Sequence, residues 1–384
     1  MDEQLSAVDL FCGAGGLSLG FKWAGIDTLA ANDIDEDPCN TFKENIGVEP
    51  IVSDIIDLDA EDLMSEEGFE PEDVDLIIGG PPCKGFSLAG ERDPEDPRNK
   101  LWEEYVNFVE IFDPDVVVIE NVKGILSMSN GEYKDKILAR LRNIGYKTEF
   151  SVLNAADYGV PQNRERVIFI GTKEHLDIKF PEPTHHSTVS GQQRLGQHSD
   201  DVKPYVSVKD AIDDLAFLGP SESADQYQKS PQTEYQKWAR EDAEKLHNHV
   251  APNHSERIQK RFELLEQGKG MESLPPEHQT SKQRMVKFDP NQPTDTITTL
   301  PEDFVHYQRN RIPTVREMAR LQSFPDDFVF TGPRTTGGLR RRNSVPQYSQ
   351  VGNAVPPLLA HAIAKEIKKG ISDSPRNKSS VESF

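Results

Sequence analysis

A short apolar run, Val74 to Ile78, ends in two glycines, two prolines and a cysteine, within GGPPCKGFSLAG at 79–90. A run that brief, β-branched and free of alternation reads as a strand buried on both faces, which is the mark of a parallel sheet. Gly79 and Gly80 free the backbone after it, and Pro81 and Pro82 stiffen the loop that follows. In open α/β sheets, ligands collect at the carboxyl ends of the strands. Cys83 therefore falls where a thiol can do chemistry, and Lys84 beside it favours the thiolate. The plainer alternative is a small hydrophobe packed on a proline-rich turn.

The same punctuation recurs along the first half of the chain. Ser6 to Leu10 reads as a first strand and runs straight into FCGAGGLSLGF (11–21), a glycine turn followed by a helix. Gly13, Gly15 and Gly16 allow close approach of a ligand to the backbone. The dinucleotide pattern GxGxxG would need glycine at 18, where the chain has Ser18. A second strand, Thr28 to Asn32, ends at Asp33, placed either to accept hydrogen bonds from ribose hydroxyls or to serve as a helix N-terminal charge. A third, Ile51 to Ser53, ends at Asp54, and the acidic stretch 57–73 reads as a solvated helix and loop.

Arg98 to Phe112 has helical spacing through Leu101, Tyr105, Phe108 and Val109. The strand Val116 to Ile119 then ends in Glu120, a carboxylate at the same sheet edge as Cys83 or a cap for the next helix. A helix over 131–143 and strands over 148–153 and 166–170 bring the count to about seven strands. Between the last two lies YGVPQNRERV (158–167), whose Arg164 and Arg166 share one side of an extended segment. The expected fold class is α/β, a doubly wound, mostly parallel, seven-stranded Rossmann-like sheet.

From 175 the period is lost through polar, glycine-containing sequence, and it returns at 294–300 and in a helix over Thr314 to Gln322. A final helix is expected to bury Leu358, Leu359, Ala362, Ile363 and Ile367, with a disordered tail from 371. At 384 residues, one large domain plus a smaller one is expected. No run of 18 apolar residues occurs and the acidic start resembles no targeting peptide, so a cytoplasmic protein is expected. Three scattered cysteines, Cys12, Cys39 and Cys83, argue against a disulfide framework or structural metal. The net charge of -22 opposes a nucleic-acid partner, yet it is uneven. Residues 1–250 carry 23 basic against 50 acidic side chains, while 251–350 carry 15 against 12, a local net of +3 that can face an anion.

Taken in order, DLFCGAGGLSLGF, GGPPCKGFS, ENVKGIL, QNRERVIFIG, REMARLQSFPDDF and QVGNAVPP make the chain resemble the DNA (cytosine-5)-methyltransferases. The likeness runs from residue 6 to about 368, apart from 175–290. It implies transfer of a methyl group from S-adenosylmethionine to carbon 5 of a cytosine flipped out of a specific duplex DNA sequence. Carbon 5 is a poor nucleophile until something adds to carbon 6, and the resemblance gives that addition to the Cys83 thiolate. It gives protonation of ring nitrogen 3 to Glu120, and the holding of the cytosine and its oxyanion to Arg164, with Arg166 beside it. The cofactor is similarly assigned to Phe11, Gly13, Gly15, Gly16, Leu17, Asp33, Ile34, Asp54, Leu101, Asn353 and Val355.

Pro82, Lys84 and Ser87 fall in the loop implied to close on DNA, together with Arg340, Arg341 and Arg342 of the basic segment 331–349. Three features depart from the family pattern: Lys84 replaces a common glutamine, Ile34 stands where an aromatic often covers the adenine, and the segment 331–349 is longer than usual. The implied organisation is a catalytic domain (1–180), a target-recognition domain (181–310), a hinge with the arginine-rich insertion (311–345), and a C-terminal helix (346–370) returning to the first domain. The implied partners are duplex DNA, bound by a monomer, and a cognate restriction endonuclease. A tRNA cytosine methylase is the nearer alternative, but its extra recognition-region cysteine is missing here. A non-catalytic DNA-binding accessory protein is the other, but neither Cys83, Glu120 nor the glycine turn is lost.

Overall fold

The structure, a computed structural model, describes residues 4–82, 101–127, 131–187, 202–280, 284–335 and 344–374. Cys83, Lys84, Ser87, Arg340, Arg341 and Arg342 lie outside the described residues, as do the start of the helix expected from Arg98 and most of the tail. The described chain forms two compact units. One comprises residues 1–154, 165–182 and 359–384, and the other residues 155–164 and 183–358.

The first unit alternates strand and helix: β1 (Leu5–Leu10), α1 (Gly16–Trp23), β2 (Ile26–Asp33), α2 (Glu36–Ile46), β3 (Ile51–Val52), α3 (Ala60–Glu67), β4 (Leu76–Gly79), α4 (Leu101–Phe112), β5 (Val116–Val122), α5 (Glu132–Asn143) and β6 (Lys147–Asn154). After β7 (Gln162–Asn163), which belongs to the second unit, β8 (Glu165–Thr172) returns to the sheet. The strand order is β3-β2-β1-β4-β5-β8-β6. β1 to β5 run parallel, and β8 is antiparallel to both its neighbours. The order reverses between β1 and β4, so their carboxyl ends open the crevice where doubly wound sheets bind ligands.

Local sequence explains these elements. β4 is buried at every position, as a central parallel strand must be. α4 lays Trp102, Tyr105, Val106, Phe108, Val109 and Phe112 against the sheet. The Tyr105 hydroxyl lies 2.9 Å from the carbonyls of both Ile77 and Val118, tying α4 to β4 and β5. α3 starts where the Asp59 carboxylate accepts from Glu61 N at 2.8 Å. The strand expected to stop at Ile119 continues to Val122, because β8 pairs with it from Val116↔Thr172 through Val122↔Arg166.

The second unit has short elements: β9 (His185–His186), β10 (Lys203–Pro204), α6 (Val208–Ile212), α7 (Glu234–Ala239), α8 (Glu256–Leu264), β11 (Val286–Lys287), β12 (Thr294–Asp295), β13 (Phe304–Val305), α9 (Val315–Leu321) and α10 (Gln347–Asn353). With so little regular structure, its interior combines an apolar cluster around Phe262, Met285, Val305 and Ile312 with buried ion pairs. Arg311 and Glu317 form a two-bond pair, each bond 2.7 Å, at the start of α9. Arg320 reaches Asp214 and Asp326, and all three side chains are fully buried. α11 (Pro357–Ser372) carries the chain back to the first unit. There Lys368 Nζ donates to Ala24 O at 3.0 Å, and His361 packs edge-on against Trp23. Its buried stripe is Leu359, Ala360, Ile363, Ala364 and Ile367; Leu358 and Ala362 of the expected face are only half-buried, one step off the stripe.

Candidate active site

At the end of β1 the chain turns through three left-handed residues, Phe11 (φ 62°), Gly13 (φ 53°) and Gly15 (φ 90°), before α1 begins at Gly16. Glycine is required at 15 on two grounds. Its φ is unfavourable for side chains, and a Cβ there would stand 2.9 Å from the Phe42 ring and 3.1 Å from Ile46. At Gly13 an added Cβ meets nothing within 4 Å among the described residues, so the main chain there borders open space. Gly13 N donates to Asp33 Oδ2 at 2.9 Å, and Asp35 N donates to Asp33 Oδ1 at 3.0 Å. Asp33 thus links the turn to the start of α2, and burial raises its carboxyl above the usual range.

Asn32 bonds the carbonyls of Ile51 and Ser53, both at 2.9 Å, which pins the end of β3 and with it Asp54. Asp54 Oδ1 accepts from Ile56 N at 3.1 Å. Beside these carboxylates stand two exposed apolar side chains, Ile34 (60%) and Ile56 (63%). Leu17 is buried in α1, and Leu101, the first residue of α4, is half-buried against the core.

Two strands away, Glu120 lies in β5 opposite Ile168 of β8. Its Oε1 is 2.7 Å from Arg166 Nε, with both side chains about seven-eighths buried. A Cβ on Gly80 would come 3.1 Å from Glu120 Oε2, so the loop after β4 leaves the sheet directly against this carboxylate. Asn121 Nδ2 donates to Pro81 O at 3.2 Å and fastens the same loop. Pro82 follows, half-buried, as the last described residue before Cys83.

Arg164 belongs to the second unit and is buried. Its guanidinium donates to Ile297 O (3.1 Å), Gly352 O (2.9 Å) and Ala354 O (3.1 Å), bracing two segments of chain. Gly352 packs so closely on Thr298 that a Cβ would lie 2.4 Å from its carbonyl oxygen. Asn353, at the end of α10, is exposed, and Val355 is half-buried.

The profile of the C-5 cytosine-specific DNA methylases matches residues 5–369. The chain belongs to that family. The Type II methyltransferase M.DdeI of Desulfomicrobium norvegicum is 39% identical over 383 residues, spanning 94% of this chain and 88% of its own. M1.HphI of Haemophilus parahaemolyticus is 34% identical over 95% of this chain and 87% of its own. A crystal structure of a prophage-encoded DNA modification methyltransferase from E. coli matches with a TM-score of 0.74 at 27% identity, covering 96% of this chain and all of that one. The activity is DNA (cytosine-5)-methyl transfer.

Sequence reasoning passed over three groups of this methyltransferase. Asn32 and Asn121 position the loops that carry assigned residues, and Asp9 sits buried beneath the glycine turn. Asp9 alone carried a signal, being a carboxylate in a strand whose other buried positions are apolar.

Proposed function

We propose that the turn between β1 and α1 holds S-adenosylmethionine and that Cys83, Glu120 and Arg166 carry the chemistry on a flipped cytosine of duplex DNA. The residues fit such a cofactor. Gly13 exposes main chain to open space, Asp33 and Asp54 offer carboxylates at neighbouring strand ends, and Ile34 and Ile56 present apolar surface of the kind an adenine covers. Phe11, Gly15, Gly16, Leu17 and Leu101 shape the same end of the first unit, and Asn353 and Val355 are assigned to the cofactor from the second. When bound, the cofactor supplies an electrophilic methyl group.

The Cys83 thiolate adds to carbon 6 of the cytosine. Glu120 donates a proton to ring nitrogen 3, relieving the charge that addition creates, and carbon 5 then accepts the methyl group. Loss of the carbon 5 proton to solvent expels the thiolate, and ring nitrogen 3 returns its proton to Glu120, which restores the enzyme. Arg166 holds the Glu120 carboxyl in place, and Arg164 acts by bracing the chain around Ile297 and Gly352. Extruding the base costs about a few kcal/mol of stacking and pairing, and Pro82, Lys84 and Ser87 are the loop residues assigned to offset it. Target recognition is assigned to 181–310, with Arg340, Arg341 and Arg342 contacting the backbone. The protein acts as a monomer in the cytoplasm, and a restriction endonuclease of the same target is its expected companion.

The observation that carries the proposal is the Glu120–Arg166 pair, set against Gly80 three residues before Cys83. Bisulfite sequencing of plasmid DNA treated with the protein and S-adenosylmethionine tests it. Protected cytosines recurring in one sequence context are expected. Uniform conversion of the DNA, with label entering tRNA instead, would overturn it.

A further inference from the structure

Beneath the glycine turn lies a carboxyl group that the proposed chemistry does not use. Asp9, next to last in β1, is 1% exposed and is flanked in the sheet by Ala31 and Ile78. Its Oδ2 accepts a hydrogen bond from Ser18 Oγ at 2.6 Å, and Ser18, in the first turn of α1, is itself fully buried. Ser18 Oγ accepts in turn from Thr28 Oγ1 of β2 at 3.2 Å. This chain ties together the strand that enters the turn, the helix that leaves it and the strand alongside. Asp33 holds the middle of the same turn through Gly13 N.

Asp9 Oδ1 is buried and has no hydrogen-bond partner among the described residues. Among the described residues, the titratable groups that face this carboxyl, or share its electrostatic surroundings, are Asp33 on β2, Cys12 in the turn, Cys39 on α2 and Tyr105 on α4, and none of these is a cation. A buried carboxylate in such company weakens a fold more than a neutral residue of the same shape does. Its presence at this point calls for a functional reason.

We propose that Asp9 is a positioning residue for the methyl-donor turn, acting in its ionised form through Ser18 to fix the spacing of β1 and α1. The inference rests on the cofactor reading of that turn. A carboxylate makes a shorter and stronger bond to a hydroxyl than a neutral acceptor does, so ionisation tightens the tie. Burial, with Asp33 adding to it, raises the Asp9 carboxyl to about 7 against the pull of the Ser18 bond. The tie therefore tightens across the neutral range.

Three proteins test this by calorimetric titration with S-adenosylmethionine from pH 5.5 to 8.5 at constant salt: the parent, Asp9→Asn and Ser18→Ala. Asp9→Asn keeps an acceptor for Ser18 and removes the charge. The parent should bind about tenfold more tightly above pH 7 than below 6. Asp9→Asn should lose that step and stay near the parent's low-pH affinity, and Ser18→Ala should bind weakly throughout.

Melting curves separate positioning from folding. A carboxyl raised on folding contributes stability that is full below its unfolded value near 4 and is lost as pH rises through about 7. The melting temperature of Asp9→Asn should therefore gain on the parent as pH rises, while its affinity falls behind. Identical affinity profiles for parent and Asp9→Asn would overturn the inference, as would a variant that loses stability and affinity together at every pH. A parent that binds no S-adenosylmethionine at any pH would overturn the cofactor reading and this inference with it.

Discussion

Replacing Arg320 with methionine removes a cation that five hydrogen bonds hold inside the second unit. Its Nε and Nη2 donate to Asp326 at 2.7 and 2.6 Å, Nη1 and Nη2 to Asp214 at 2.9 and 3.2 Å, and Nη1 to Ala211 O at 2.8 Å. Every donor of the guanidinium is used, and the side chain is fully buried. Methionine fills much of the volume but leaves two buried carboxylates short of their main cation. Arg240 still reaches Asp214 at 3.3 Å, Tyr227 still donates to Asp326 at 2.6 Å, and Arg316 stands 3.8 Å from it. Removing one partner of a buried pair costs about 3–5 kcal/mol. For a unit of this size that lowers the melting temperature by roughly 6–20 °C.

The loss should depend on pH with a definite sign. Burial opposes ionisation of Asp326, but Arg320 outweighs it and holds the carboxyl below its usual value. The stability this contributes is present above about pH 4 and is lost as pH falls through the lowered value. The gap between parent and variant should therefore be widest near neutrality and narrow below about pH 4, where the stranded Asp326 carboxyl is neutral. Thermal melts followed by circular dichroism at pH 7.5 and 3.5 check this. A melting temperature within 2 °C of the parent at pH 7.5 would refute the reasoning, because the network would then be ornamental.

Gly15→Ala should cost about 2–4 kcal/mol, combining a left-handed backbone with an overpacked contact on Phe42, whereas Gly13→Ala should cost only about 1–2 kcal/mol; urea denaturation of both variants measures the difference. Glu120→Gln should keep binding to DNA and cofactor yet lose about 100- to 10,000-fold in turnover, measured by methyl transfer beside a gel-shift assay. The net charge of -22 should make folding and methylation improve as KCl rises toward molar levels, where self-repulsion is screened to about 3 Å. A methyl-transfer series in KCl, paired with circular dichroism, reads this directly, and decline from low salt onward would give the acidity another origin.

The sheet was legible because its central strands are continuous apolar runs ended by glycine or a carboxylate. β4 and β5 needed nothing more than their own residues to be found. The end of β5 was not legible, because pairing with a strand more than forty positions later extends it through Glu120 to Val122. The second unit was opaque for a related reason. Its interior includes buried ion pairs, and in sequence Arg311, Arg316 and Arg320 look like surface charges. They entered the local net of +3, yet all three are fully buried and face Glu317, Asp214 or Asp326. Arg164 and Arg166 likewise looked alike at two-residue spacing, and only the fold gives one to main-chain carbonyls and the other to Glu120. Asp9 escaped notice because its partner, Ser18, lies on the far side of the turn.

The central claim is a covalent step through Cys83, and trapping tests it most directly. Duplex DNA carrying 5-fluorocytosine at the methylated position, incubated with the protein and S-adenosylmethionine, should give a complex that survives denaturing electrophoresis, because fluorine is not eliminated as the hydrogen is. Peptide mapping should place the DNA on the fragment containing Cys83, and Cys83→Ser should give no adduct. An adduct formed by Cys83→Ser, or a parent enzyme that methylates ordinary DNA yet is never trapped, would contradict the account.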